Sequence, residues 1–123
     1  MLDSRFTAIR TQPTNLTCFL ADLIQRETQT DIVIINCGTL RADALMPAGA
    51  FCRRDINQLL PMHDPLVKLR LTGAQLLRAL ENGVSSYPKL EGRWPMVSGI
   101  RFCYDPKRPP HSRILKYALC LIA

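Results

Sequence analysis

Between residues 14 and 28 apolar side chains recur at three- and four-residue spacing, with Leu16, Phe19, Leu20, Leu23 and Ile24 on one side of a helical period. The spacing predicts an amphipathic helix, and Thr14 stands where its hydroxyl can accept from an orphan amide of the first turn. The pattern then changes. Asp31-Ile-Val-Ile-Ile35 is a continuous, β-branched run and predicts a buried strand. Asn36 to Asp43 reads as a loop, and Pro47 and Gly49 prolong the irregular stretch. A short helix is expected from about Arg54 to Leu60, stopped by Pro61, since the residue before a proline is pushed out of the helical region. Leu66 to Leu71 alternates, with Val67, Leu69 and Leu71 on one face and Lys68 and Arg70 on the other, which predicts a half-buried strand. Thr72 is placed to cap a second amphipathic helix whose stripe is Leu76, Leu77, Leu80 and Val84, loosened by Gly83 and ended by Pro88. Met96 to Tyr104 predicts a strand in which Met96, Ile100, Phe102 and Tyr104 share one parity. Asp105 to Pro110 is a proline-set turn, and Arg113 to Ile122 a final strand. The order helix, strand, helix, strand, helix, strand, strand predicts an α+β fold, an α/β sandwich with a mixed sheet.

Length and composition narrow this picture. The 123 residues suit a single domain, 1–123, with one core. With 47 % hydrophobic and 21 % charged residues the chain falls outside the disordered class. Its net charge of +6 favours anionic partners, namely phosphates, nucleic acid or a membrane surface, without choosing among them. The five cysteines, Cys18, Cys37, Cys52, Cys103 and Cys120, are odd in number and form no CxxC pair. A disulfide framework or structural zinc site is therefore not expected, and free, mostly buried thiols are. No apolar run reaches the ~18 residues of a membrane span. The opening MLDSRFTAIR lacks the apolar core of a signal peptide, and the tail ILKYALCLIA reads as a strand.

Catalytic chemistry finds little support. A two-metal phosphatase centre needs several His and Asp ligands converging on ions ~3.5–4 Å apart. The chain offers only His63 and His111, both in turn-like surroundings, with its acids scattered singly. Cys37 is the best-placed thiol, with no partner base in evidence, and is expected as a small, semi-buried loop residue. The loop Asn36-Cys-Gly-Thr-Leu-Arg41 is more informative because it follows a buried strand, where α/β folds place ligands. Gly38 permits close backbone approach, the Asn36 amide can donate, and the Arg41 guanidinium forks onto phosphate or carboxylate oxygens. On residues alone a phosphate cradle and a plain turn with solvated Arg41 stand level. The pairs Arg53-Arg54 and Lys107-Arg108 read as solvated faces, and Trp94 and Tyr104 as core.

Read in order, several segments resemble one family, the 5'-nucleotidases, in their C-terminal, substrate-binding domain. Arg10-Thr-Gln-Pro-Thr-Asn15-Leu is similar to an Arg followed by a Glu-Thr-Asn-Leu-like helix opening, and Asn36-Cys-Gly-Thr-Leu-Arg41 to an Asn-Gly-Gly-x-x-Arg loop. Leu59-Leu-Pro-Met62 resembles a Leu-Pro-Phe segment, Leu71-Thr-Gly-Ala-Gln-Leu a Leu-Thr-Gly-x-x-Leu helix start, and Val97-Ser-Gly a Val-Ser-Gly strand. The resemblance implies a domain that binds a nucleotide or other phosphoester and is not catalytic by itself. Hydrolysis would belong to an N-terminal metallophosphatase domain holding two divalent metal ions, outside this chain, so that no cofactor is expected within 1–123. It implies Arg10, Asn36, Gly38 and Arg41 at the phosphate end of the ligand and Met62 where the family stacks an aromatic on the base. Departures accompany the likeness: Met62 replaces Phe, Pro13 replaces Glu, Cys37 replaces a loop Gly. The family's second aromatic and a Gly-Gly-Asp stretch have no counterpart before Ala123, so a domain cut short at its far end is expected. Nucleic acid is not expected as a partner. The competing expectation is a decayed domain whose basic surface serves as a protein- or nucleic-acid-interaction module.

Overall fold

The computed structural model describes residues 1–119. Its strands are β1 (Leu2–Asp3), β2 (Val33–Asn36), β3 (Leu45–Met46), β4 (Pro95–Ser98), β5 (Ile100–Tyr104) and β6 (Ile114–Leu119). Its helices are α1 (Phe6–Ile9), α2 (Asn15–Thr28), α3 (Arg53–Leu59) and α4 (Gly73–Val84), with a 3-10 turn at Cys37–Thr39. The α+β class holds. Within it the strands pair as three antiparallel ladders, β1 with β3, β2 with β4 and β5 with β6, so among the described residues no parallel pair makes the sheet mixed.

The long helices start where local chemistry dictates. Thr14 accepts from the Thr17 amide while the Thr17 hydroxyl accepts from the Thr14 amide, a reciprocal capping box. Thr72 and Gln75 repeat the device at α4. The α2 stripe buries Leu16, Leu20 and Ala21 against β4 and β2, whereas Phe19 and Leu23, predicted on the same stripe, stay exposed at its edge. Phe19 there meets Phe51 edge-on, ring centroids 6.5 Å apart. The main core gathers Ile9, Leu16, Leu20, Val33, Leu40, Leu59, Val84, Trp94 and Met96. A second cluster of Leu76, Leu80 and Ile100 lies under α4.

Buried polar groups lock these parts together. The Ser98 hydroxyl lies 2.5 Å from Asp22 Oδ1 and 2.6 Å from Gln25 Oε1, pinning β4 to α2. Gln25 Nε2 donates to the Asp31 carbonyl at 2.8 Å, closing the turn that leads into β2. Gly99 follows in the left-handed region at φ +74°, and a Cβ there would collide with Gln25 Nε2 and with the Asp31 carbonyl. This glycine divides the strand predicted from Met96 to Tyr104 into β4 and β5. Arg113 is buried and its Nη1 donates to the carbonyls of Val84 (2.6 Å), Ser85 and Tyr87 (both 3.0 Å), ending α4 from a distant part of the chain. Glu81 answers by accepting from the amides of Arg113 and Ile114 at 2.9 and 2.8 Å.

Three expectations need correcting. Leu66 to Leu71 is not a strand: every residue from Pro61 to Gln75 is exposed and no ladder includes the run, because no neighbouring strand among the described residues offers it hydrogen bonds or an apolar face. The thiols are not mostly buried: Cys18, Cys52 and Cys103 are exposed, and of the described cysteines only Cys37 is enclosed. The final strand begins at Ile114 and is described to Leu119; its predicted continuation to Ile122 lies outside the described residues. No helix among the described residues is long and apolar enough to cross a membrane.

Candidate phosphate-end site

The predicted loop forms as β2 runs out. Asn36 pairs with Pro95 at the end of the β2–β4 ladder, and the chain tightens into the 3-10 turn, with the Leu40 amide donating to the Cys37 carbonyl at 3.0 Å. Leu40 is fully buried and anchors the turn in the core. Arg41 then leaves the turn with its amide on the Leu59 carbonyl at 2.9 Å, so the C-terminus of α3 fixes its direction. Its Nη1 donates to the Gly38 carbonyl at 3.3 Å, folding the guanidinium back over the loop, and the Arg41 side chain stays exposed.

A second segment holds this loop from behind. The amides of Cys37 and Gly38 donate to the carbonyls of Trp94 and Gly92, both at 2.8 Å. The two backbones cross so closely that a Cβ on Gly92 would lie 2.7 Å from the Gly38 Cα. A Cβ on Gly38 would meet Gly92 Cα and Asn36 Nδ2, each at 3.1 Å, which places the Asn36 amide beside the crossing. The close approach at Gly38 is to Gly92 of the chain itself.

Arg10 reaches the same segment from α1. Its Nη1 donates to the Leu90 carbonyl at 2.8 Å and its guanidinium carbon lies 3.8 Å from the Phe6 ring centroid. Its Nε is buried without a partner among the described residues. Neither Arg10 nor Arg41 forms an ion pair there; the pairs present are Arg5–Asp3, Arg93–Glu91 and Arg108–Asp105. The two guanidinium charges, together with the Asn36 amide, therefore stand around one loop without a carboxylate to neutralise them.

Cys37 lies beneath. Burial pushes its thiol up to about 12, and the nearby Arg10 charge lowers it only in part. A thiol so protonated at neutral pH is no nucleophile, so it serves as packing under the loop. Met62 is 52 % exposed, three residues beyond Leu59, whose carbonyl orients Arg41, and among the described residues no hydrogen bond ties its segment to Arg10 or Asn36. The structure thus gathers Arg10, Asn36, Gly38 and Arg41 and leaves Met62 at the margin. Sequence reasoning missed Leu90, Gly92 and Phe6. The first two act through main-chain groups and carry no side-chain signal; Phe6 meets Arg10 because α1, a four-residue helix that the sequence pattern did not announce, puts them on one side.

Among the described residues no three His, Cys, Asp or Glu side chains converge.

The family model described as "5'-nucleotidase, C-terminal domain" matches residues 2–121. The chain is 30 % identical over 119 residues to the trifunctional nucleotide phosphoesterase protein YfkN of Bacillus subtilis (strain 168), covering 94 % of this chain and 8 % of that protein. It is 31 % identical over 81 residues to a 5'-nucleotidase of Diplobatis ommata, covering 66 % of this chain and 12 % of that one. Among solved structures, the crystal structure of a 5'-nucleotidase precursor from Thermus thermophilus superposes with a TM-score of 0.87 at 32 % identity, over 96 % of this chain and 24 % of that chain. The chain thus spans a quarter or less of the length of these relatives.

Proposed function

We propose, from the premise that this chain belongs to the 5'-nucleotidase C-terminal domain family, that it is a phosphoester-binding domain whose ligand is a nucleotide. One observation carries the reading: Arg10 keeps a buried, unpartnered Nε beside a loop that also carries Arg41 and Asn36, with no acid to neutralise either arginine among the described residues. A buried donor without an acceptor is costly, and an anionic oxygen is the acceptor that relieves both the vacancy and the charge. In this reading Arg10 holds the phosphate from the core side, Arg41 forks onto it from solvent, and Asn36 donates its amide. Met62 offers a soft thioether to a base in place of an aromatic face.

Residues 1–123 then act as one domain that binds and orients, while phosphate release belongs to a metallophosphatase domain with two divalent ions. The likeness to a nucleotide phosphoesterase and to 5'-nucleotidases supports the ligand class.

The test is an amide-correlation NMR titration of the full chain with adenosine monophosphate. Saturable shifts at Asn36 to Arg41 and at Arg10 are expected, with affinity falling about tenfold or more in Arg41→Ala, the loss of one charge-assisted contact. A dispersed spectrum that ignores the nucleotide overturns the reading.

A further inference from the structure

Helix α1 is too short to hold itself in place. Four residues close barely one turn, which alone is unfavourable, so its position comes from contacts outside it. Arg5, at its N-cap, makes no side-chain capping bond. The acceptor for the first helical amide comes instead from 37 residues along the chain, where Asp43 Oδ1 takes the Phe6 amide at 2.7 Å. Asp43 lies two residues beyond Arg41 and sits in the left-handed region at φ +45°, which aspartate tolerates better than most residues. The next residue fastens the same join. Ser4, fully buried, donates from its amide and its hydroxyl to the Ala44 carbonyl at 3.0 and 2.7 Å, and its Oγ accepts from the Ala44 amide at 3.2 Å. The β1–β3 ladder continues it, with Asp3 opposite Leu45 and Leu2 opposite Met46.

The exit of the Asn36–Arg41 loop and the start of α1 are thus tied side by side, and each carries one arginine of the candidate site. On the α1 side the contacts run on from Asp43. The Phe6 amide rests on its carboxylate, the Arg10 guanidinium carbon stands 3.8 Å from the Phe6 ring centroid, and Arg10 Nη1 reaches the Leu90 carbonyl at 2.8 Å. Asp43 forms no ion pair with Arg10 or Arg41 among the described residues, so its carboxylate serves the amide and leaves both charges in place. We infer that Asp43 is a positioning residue: through the Phe6 amide it sets where Arg10 stands relative to Arg41. Two guanidinium groups held in this way meet one anionic phosphoester without having to be ordered as it binds. The consequence for binding rests on the phosphoester reading proposed above; the placement of Arg10 does not.

Two exchanges separate the acceptor from the backbone conformation. Asp43→Gly keeps the left-handed conformation and removes the acceptor; Asp43→Asn keeps both, with an amide oxygen in place of the carboxylate. The readouts are the Arg10 Nε–Hε resonance of the ligand-free full chain, which the Phe6 ring displaces, and the affinity for inorganic phosphate and for adenosine monophosphate. In Asp43→Gly the Arg10 resonance should move toward its position in Phe6→Leu. Both ligands should then bind about fivefold more weakly, because a lost cap of this kind lowers the share of molecules with Arg10 in place. Asp43→Asn should keep the native resonance and restore the affinity, and the amides of Leu76 to Leu80 in α4 should stay still in both variants. The inference is overturned if Asp43→Gly leaves the Arg10 resonance where it was, if Asp43→Asn displaces it as fully, or if the α4 amides move along with it, which would mark a general loosening. It is overturned too if the resonance moves while a native chain that binds phosphate and its Asp43→Gly variant bind alike. A native chain that binds neither ligand, with the resonance still moved by Asp43→Gly and kept by Asp43→Asn, upholds the placement and sinks the phosphoester reading.

Discussion

Val33–Asn36 and Leu66–Leu71 are both short, β-forming runs of aliphatic residues, yet they have opposite surroundings. The first pairs residue by residue with β4, from Val33 opposite Ser98 to Asn36 opposite Pro95, and packs under α2. The second carries comparable side chains and pairs with no strand among the described residues. What separates them is the supply of partners. β2 is met by a strand that buried polar contacts hold in place, Ser98 on Asp22 and Gln25, while Leu66–Leu71 is followed by a helix that departs at once. Strand propensity is a capacity for pairing, and the pairing itself is a property of the neighbourhood.

The largest effect should follow Arg113→Ala, which strips the donor from three carbonyls at the end of α4 and loosens β6; a urea melt should show a loss of roughly 3 kcal/mol or more. A loss below about 1 kcal/mol would mean that the guanidinium is not what holds this end. One chemical change made in both runs should separate them. Val33→Ala removes a side chain only 6 % exposed and should cost about 2 kcal/mol. Val67→Ala removes one 73 % exposed and should stay within about 0.5 kcal/mol, and equal costs would dissolve the distinction.

A subtler effect is expected in alkali. The Cys37 thiol is held up to about 12 from an ordinary 9.0, so the folded chain keeps a proton that the unfolded chain releases. Its contribution is fully present below pH 9.0 and is lost as pH rises toward 12. Urea midpoints followed upward from neutrality should fall more steeply in the native chain than in Cys37→Ala, and parallel slopes would contradict the burial of this thiol.

How much was legible follows from the range of each interaction. Thr14 and Thr72 cap helices through partners three residues away, and both were readable from sequence. The Asn36–Arg41 loop was readable because a strand, a glycine and two polar residues announce it together. Glu81 and Arg113 were not: their contacts span about thirty residues and consist of side chains meeting main-chain groups, which leave no periodicity. Leu66–Leu71 showed its alternation truthfully, but alternation carries no information on whether a second strand arrives. Met62 was placed by likeness to a motif, and the fold leaves it exposed in the turn after α3.

The crossing of Gly38 and Gly92 bears on how such a site is inherited. Its geometry is written in main-chain atoms, two amides and two carbonyls, and in the emptiness where two side chains would be. Around it the Arg93 side chain turns away from the loop, to Glu91 and to the Ser85 hydroxyl. A lineage could rewrite most of the surrounding letters and pass on the same cradle, provided it kept two blanks.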